Sequence, residues 1–389
     1  MKHHKIPAVC MRSGTSKALV FHRRDLPADL AAWDDIFGSA MGSPAPYTRQ
    51  LDGMGGGVTS LSHVCEVGPP THPDADIDYT FAQIPVREQR VDYSTHCGTM
   101  SSAMGPFAVD EGLVKVSGNE ALARIHKTNT KKIIHAYFAL DDGKAAVDGD
   151  IAIPGVSGTG APVRLEFLSP GGATTGRLLP TGNVCDTLDV PGVGKIEVSM
   201  VDAANACVFL RARDLALTGT ELPDALEADK AAMQRLPAGR MAACVAMGIA
   251  RNVAEAASRL SNPAIGFVAP AMDATLLSGE PLAGSDVDLT ARMIARGEVH
   301  RALPLTRVLC MAVAAHISGT RVNEVRRPSA GNKIRIGMPS GILLAATRVK
   351  QQGGAWAAER GAFVRTQRRL SEGQVLVRAP QSGRAIWHS

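Results

Sequence analysis

Cys97 sits in the run Val91-Asp-Tyr-Ser-Thr-His-Cys-Gly-Thr-Met-Ser-Ser-Ala-Met-Gly-Pro-Phe-Ala. A short extended stretch ends at Tyr93, a turn follows, and a helical run of small residues starts at about Gly98. The spacing therefore puts a thiol at the N-terminus of a helix. Unpaired backbone N–H groups, those of Gly98 and Thr99 first, and the helix dipole favour a thiolate there and attract carboxylates. A thiol beside an anion site points to proton transfer on a carboxylic acid. The competing reading is a cysteine packed as a small hydrophobe, and spacing alone weighs the two about evenly.

Three further stretches carry groups that could act with it. Met11-Arg-Ser-Gly-Thr-Ser-Lys17 lies between two strand-like runs. Its Arg12, Thr15, Ser16 and Lys17 suit a carboxylate clamp, or equally a hairpin turn with solvated charges. Gln50-Leu-Asp-Gly-Met-Gly-Gly-Gly-Val-Thr-Ser-Leu-Ser-His63 holds three successive glycines, Gly56 and Gly57 among them. They permit close backbone approach to a ligand or a flexible turn. A dinucleotide fingerprint is weak, since no parallel βαβ pattern surrounds the loop. His63 at its end is a general base or a hydrogen-bonded structural histidine. Met338-Pro-Ser-Gly341 offers Ser340 and Gly341 between two strands. Thr306 and Arg307 open a second apolar helix. An arginine adds positive charge to a positive helix end, so an anionic partner would account for it; the alternative is a solvated side chain.

The elements that position these groups are short. In the first half, strand patterns fall at 6–11, 18–22, 77–86, 132–139 and 163–168, and helical ones at 29–40 and 98–110. In the second half, strands fall at 196–200, 207–212, 265–268, 334–337 and 342–349, and helices at 222–235, 240–259 and 306–317. The turn-rich stretch 171–183 bridges them. Each half holds several strands and one apolar helix after a strand and turn. This weak symmetry predicts two similar domains, 1–185 and 186–389, with both helix N-termini aimed at a shared cleft.

Bulk properties narrow the class. A chain of 389 residues exceeds one typical core. Apolar residues make up 45% and aromatics 4%, with 39 glycines and 23 prolines, as in a turn-rich globular protein with an aliphatic core. The net charge of +5 is spread along the chain. The basic cluster Arg365 to Arg369 reads as a solvated strand face, so no nucleic-acid footprint is expected. Seven cysteines without CxxC spacing fit neither a disulfide framework nor a zinc site. No secretory h-region or membrane-spanning run is present. A reduced cytoplasmic protein without metal is the expectation, and a homo-oligomer is compatible with it.

Taken together, the motifs resemble the 2-methylaconitate cis-trans isomerase family (PrpF) of the diaminopimelate-epimerase-like superfamily. The pieces run in order over nearly the whole chain. They are Arg12-Ser-Gly-Thr-Ser-Lys17, Gln50-Leu-Asp-Gly-Met-Gly-Gly-Gly57, His96-Cys-Gly-Thr-Met100, Gly105-Pro-Phe-Ala and Thr128-Asn-Thr130. Thr175-Gly-Arg-Leu-Leu-Pro-Thr-Gly-Asn183, Val201-Asp-Ala-Ala-Asn205, Leu217 to Pro223, Ala291 to Gly297 and Pro339-Ser-Gly341 complete them. The resemblance implies an α+β fold of two similar domains, each a β-barrel-like sheet around a central helix. It also implies a cofactor-independent isomerase of unsaturated di- and tricarboxylates such as 2-methylaconitate or 4-oxalomesaconate.

In that family an acid–base pair moves the proton: the cysteine, which falls on Cys97, and a lysine, whose position falls on His63. Other departures are Ser13 for a usual glycine, Thr99 for asparagine, Arg307 for glycine and Met338 for histidine. A lysine base needs its pKa lowered by roughly three units to act near neutrality, whereas histidine starts near 6.5. His63 is therefore a workable replacement, though its nitrogen sits further back. Two rivals remain. One is a non-catalytic carboxylate-binding protein of the same fold. The other is a two-thiol amino-acid epimerase, which Thr306 and Arg307 at the second helix start argue against, with Cys310 a turn further inside.

Overall fold

The computed structural model describes residues 3–94, 97–190, 193–259, 262–295, 297–328 and 331–378. Thr95 and His96 of the cysteine motif and Arg296 of the 291–297 run lie outside them. The chain divides into a unit of residues 1–165 with 364–389 and a unit of 166–363. The crossing thus comes before the turn-rich stretch rather than after 185. The C-terminal strand also returns to the first unit, pairing from His3↔Arg378 to Ser13↔Gln367. Pairing between chain ends leaves no mark in local sequence, which is why a simple halving missed it.

The principal elements follow in chain order. They are β1 (His3–Ser13), β2 (Ser16–His22), α1 (Trp33–Met41), β3 (His63–Gly68), β4 (Ile77–Gln83), α2 (Ser101–Asp110), β5 (Glu120–Lys127) and β6 (Lys132–Asp141). Next come β7 (Asp186–Val190), β8 (Gly194–Ala203), β9 (Asn205–Arg211), α3 (Lys230–Ala246), β10 (Ala264–Pro270) and β11 (Leu289–Ala295). The last are α4 (Leu305–Ala315), β12 (Lys333–Met338), β13 (Gly341–Gln352), β14 (Ala355–Arg365) and β15 (Gln367–Arg378).

Both units use one pairing scheme. In the first, β1–β2 is antiparallel, β2–β3 parallel, β3–β4 antiparallel, β4–β5 parallel and β5–β6 antiparallel. In the second, β8–β9, β9–β10, β10–β11, β11–β12 and β12–β13 repeat that alternation. Each parallel pair needs a crossover, and each crossover holds a helix: α1 and α2 in the first unit, α3 and α4 in the second. Every residue of α4 is buried, as is α2 from Ser101 to Val109. A helix apolar on all sides belongs in an interior. The fold is therefore α+β with a sheet packed on a buried central helix in each unit, as the family resemblance implied.

Side-chain alternation sorts the first unit's sheet into two faces. Ser13, Ser16, Ala18, His63, Cys65, Phe81, Tyr79 and Lys127 are linked through registered partners and share the face that carries α2. Cys10, Leu19, Phe21, Val64 and Ala82 point to the other face and pack on Trp33, Ile36, Phe37, Ala40 and Met41 of α1.

Strands β3 and β5 went unread because polar residues interrupt their patterns. Buried Glu66 and His126 belong to a charge network, with Arg23 2.6 Å from Glu66 and His126 2.9 Å from Asp78. The expected break between helices at 235 and 240 does not occur. Asp229 caps α3 by accepting from the Ala231 and Ala232 N–H groups at 3.0 Å, and the helix continues through Pro237.

Candidate functional site

Cys97 is half-buried and leads into the turn that opens α2. The first bonds of that helix are tight i→i+3 ones. Ser101, Ser102 and Ala103 donate to the carbonyls of Gly98, Thr99 and Met100 at 3.2, 3.1 and 3.1 Å. The thiol therefore stands at the donor end of a buried helix. Its Sγ is 3.8 Å from the Ser16 hydroxyl. Ser13 Oγ donates to the Thr99 carbonyl at 2.5 Å and lies 2.6 Å from Ser102 Oγ. Two of the departures from the family pattern, Ser13 and Thr99, thus touch each other and tie the hairpin to the cysteine turn. Gly14 makes that approach feasible. Its φ is +50°, and a Cβ there would fall 2.6 Å from Thr99 Cγ2 and 3.1 Å from Arg365 Cδ.

Across the same sheet face lies a residue that sequence reasoning overlooked. Lys127, the last residue of β5, is only 2% exposed. Its Nζ donates to the Cys97 carbonyl at 3.0 Å and lies 5.0 and 5.7 Å from the Tyr79 and Phe81 ring centroids. Burial pulls its amine down to about 8, against the opposing pull of Cys97 and Cys65. Its sequence signal, a lysine closing an alternating strand just before Thr128-Asn-Thr130, is that of any surface lysine.

His63 opens β3, is 3% exposed, and meets Phe81 edge-on at 4.9 Å between ring centroids. The glycine loop before it is braced from inside. Buried Gln50 accepts from the Gly57 N–H at 2.8 Å and from Ser62 Oγ at 2.6 Å. Gly56 is exposed, Gly57 half-buried.

The proposed clamp residues divide between faces. Ser16 joins the cysteine. Arg12 and Lys17, registered opposite each other, alternate to the side of Cys10. Arg12 binds the Gly14 and Thr366 carbonyls and the Thr366 hydroxyl at 3.2, 3.3 and 3.0 Å, so it ties the hairpin to the chain before β15. Thr15 is exposed at the turn. Arg365, assigned above to a solvated face, is instead 9% exposed beside Gly14, and burial pulls its guanidinium down to about 10. Arg369 does pair at the surface, with Glu111 and Glu372 at 2.7 and 2.6 Å.

In the second unit, Thr306 and Arg307 occupy the first turn of α4 and are buried, which overturns the reading of a solvated arginine. The Arg307 guanidinium donates in a short bond to His300 Nε2. Burial and the Arg307 charge push that imidazole well below its ordinary value, so it is neutral and accepts. Met338 Sδ accepts from the Leu303 N–H at 3.3 Å, ahead of the helix. Ser340 is half-buried, and Gly341 opens β13. The Cys310 thiol donates to the Val201 carbonyl at 3.2 Å, and burial beside Cys207 pushes it well up. It is a packed thiol inside the helix, unlike one poised at a helix start.

Among the described residues, no three His, Cys, Asp or Glu side chains gather to hold a metal ion. No described helix is long and apolar enough to cross a membrane.

A family model described as PrpF protein matches residues 3–378. A 3-methylitaconate isomerase of Eubacterium barkeri is 41% identical over 376 residues, covering 96% of this chain and 97% of that protein. A 2-methyl-aconitate isomerase of Cupriavidus necator is 37% identical over 384 residues, covering 96% and 97%. The crystal structure of a methylitaconate-delta-isomerase superposes with a TM-score of 0.83 at 40% identity, over 97% of this chain and 96% of that one. A hydroxyproline epimerase from Agrobacterium vitis, at 11% identity, shares the fold with a TM-score of 0.56 over 97% and 94%.

Proposed function

From the premise that this chain belongs to the PrpF family and is an isomerase, we propose that it moves a proton on an unsaturated di- or tricarboxylate without a cofactor. The substrate class is that of methylitaconate, 2-methylaconitate and 4-oxalomesaconate. Cys97 and His63 form the acid–base pair.

The observation that carries this reading is the shared sheet face. Cys97 at the donor end of α2, Ser16, His63 and Lys127 come from four separated segments to one side of one sheet. His63 takes a proton from the carbon α or γ to a carboxylate. The charge spreads over the resulting dienolate, where the N–H groups at the start of α2 stabilise it. The Cys97 thiol then places its proton on the other allylic carbon. Solvent exchange returns His63 and Cys97 to their starting forms.

Buried Arg365 beside the cysteine turn supplies a cation for one carboxylate. Within the second unit, buried Thr306 and Arg307 at the start of α4 are a further pair suited to a carboxylate. Arg12, Thr15 and Lys17 serve the hairpin and take no part in the step.

Proton NMR in deuterated water, against a panel of these unsaturated acids, tests the proposal. Exchange of an allylic proton in at least one of them supports it. Thermal stabilisation by the acids with no exchange in any of them contradicts it and favours a binding protein.

A further inference from the structure

Lys127 has a counterpart in the second unit. In the first unit Ile77↔Ile125 and Tyr79↔Lys127 are registered across β4–β5, and Lys127 closes the β5–β6 hairpin opposite Lys132. In the second, Leu289↔Ile336 and Thr290↔Gly337 are registered across β11–β12, and Met338 closes the β12–β13 hairpin opposite Gly341. Counting from these pairs, Lys127 and Met338 hold the same place. They also do the same mechanical job. Each side chain bonds the peptide ahead of its central helix: Lys127 the Cys97 carbonyl, Met338 the Leu303 N–H.

In the second unit a neutral thioether performs that job. In the first it falls to an ammonium group with 2% exposure, although burying a charge is costly unless the charge is used. Covalent geometry keeps a residue's Sγ within about 5 Å of its own carbonyl oxygen, so the ammonium stands within about 8 Å of the Cys97 sulfur.

We propose that Lys127 is the positioning residue and charge partner of Cys97: its ammonium fixes the cysteine's peptide and stabilises the thiolate left when the thiol gives up its proton. This rests on the acid–base reading of Cys97 given above. In the step one proton passes from sulfur to carbon, the S–H bond breaks and the C–H bond forms. Lys127 keeps all of its protons throughout.

The other groups facing Lys127 are His63 beyond Phe81, Lys132 across the hairpin, and the Cys65 thiol and Tyr79 hydroxyl. Burial pushes both Cys65 and Tyr79 up, so neither ionises near neutrality. The Lys127 charge itself fades as pH rises through about 8, and the stabilisation of the thiolate fades with it.

The test is Lys127→Met, which copies the second unit's solution and keeps the side chain's bulk. Two readouts are taken: steady-state kinetics, and the rate of iodoacetamide alkylation at the Cys97 peptide, followed by mass spectrometry at pH 7. The expected result is kcat lower by on the order of tenfold or more, KM within about threefold, and alkylation slowed by a similar factor. Normal alkylation in a folded Lys127→Met protein overturns the proposal, whether kcat falls or not, because a purely structural role moves only the kinetics.

Should that variant fail to fold, Lys127→Arg decides. Arginine keeps its charge at every pH, so the pH midpoint of Cys97 alkylation must stay at or below that of the wild type, and a midpoint raised toward that of an ordinary thiol overturns the proposal. Cys97→Ser, assayed in parallel, separates the two readings. Full activity there defeats the acid–base role of Cys97, while the alkylation comparison still reports on Lys127.

Discussion

The hydroxyl of Ser13 donates to the carbonyl of Thr99 at 2.5 Å. This bond joins the first hairpin of the chain to the turn that carries Cys97, across 86 residues of sequence. Both residues depart from the family pattern, and they do so in contact with each other. Around them lie the Ser16 hydroxyl, Arg365 and, at the far side of the cysteine peptide, Lys127. These two departures thus meet at the turn that carries Cys97, whereas Arg307 and Met338 belong to the second unit.

Gly14→Ala is expected to disturb this junction. The φ of +50° costs a side chain about 1 kcal/mol, and the new Cβ must displace Thr99 or Arg365. Gly112→Ala meets a similar φ of +70° with nothing within 4 Å, so it isolates the strain. Both variants should lose a few degrees of melting temperature, but only Gly14→Ala should lose activity, by tenfold or more. Equal activities would show that the cysteine turn tolerates displacement.

Arg365→Met removes a buried cation beside Gly14 of the first hairpin. A charge-assisted hydrogen bond contributes about 1.5–3 kcal/mol, so KM should rise roughly 10- to 100-fold with a smaller change in kcat. Steady-state kinetics on whichever acid the panel identifies gives the answer. An unchanged KM removes Arg365 from the site.

The sign of the pH effect at His300 is fixed by its environment. Its folded-state pKa lies well below 6.5, through burial first and the Arg307 charge second. Above about 6.5 neither folded nor unfolded His300 binds a proton. Below it only the unfolded chain does, and stability falls by up to about 1.4 kcal/mol per pH unit. Thermal melts from pH 7.5 to 5 should show the wild type losing stability relative to His300→Gln over that window. Parallel curves would mean that His300 titrates normally.

Much of this was legible before the fold was known. The thiol at a helix start, the apolar helix of each half and the repeated architecture all follow from local periodicity and turn chemistry, which sequence carries directly. Lys127 was not legible, because its importance comes from a parallel β4–β5 pairing that brings residue 127 beside residue 79 and then over the Cys97 peptide. Arg365 was misread for a related reason. A basic run looks solvated, but the run breaks between two strands: Arg365 closes β14 and is buried, while Arg368 lies in β15 and stays exposed. Likewise the hairpin's Arg12 and Ser16 looked like one clamp, and the pleat sends them to opposite faces.

The central claim is that Cys97 and His63 together move one proton on carbon. The most direct measurement is solvent-deuterium incorporation into substrate, followed by proton NMR for the wild type, Cys97→Ala and His63→Ala. Loss of one acid–base group typically costs 10²- to 10⁴-fold, so both variants should fall by at least about a hundredfold while their melting temperatures confirm folding. Incorporation at the wild-type rate in both variants would contradict the pair outright.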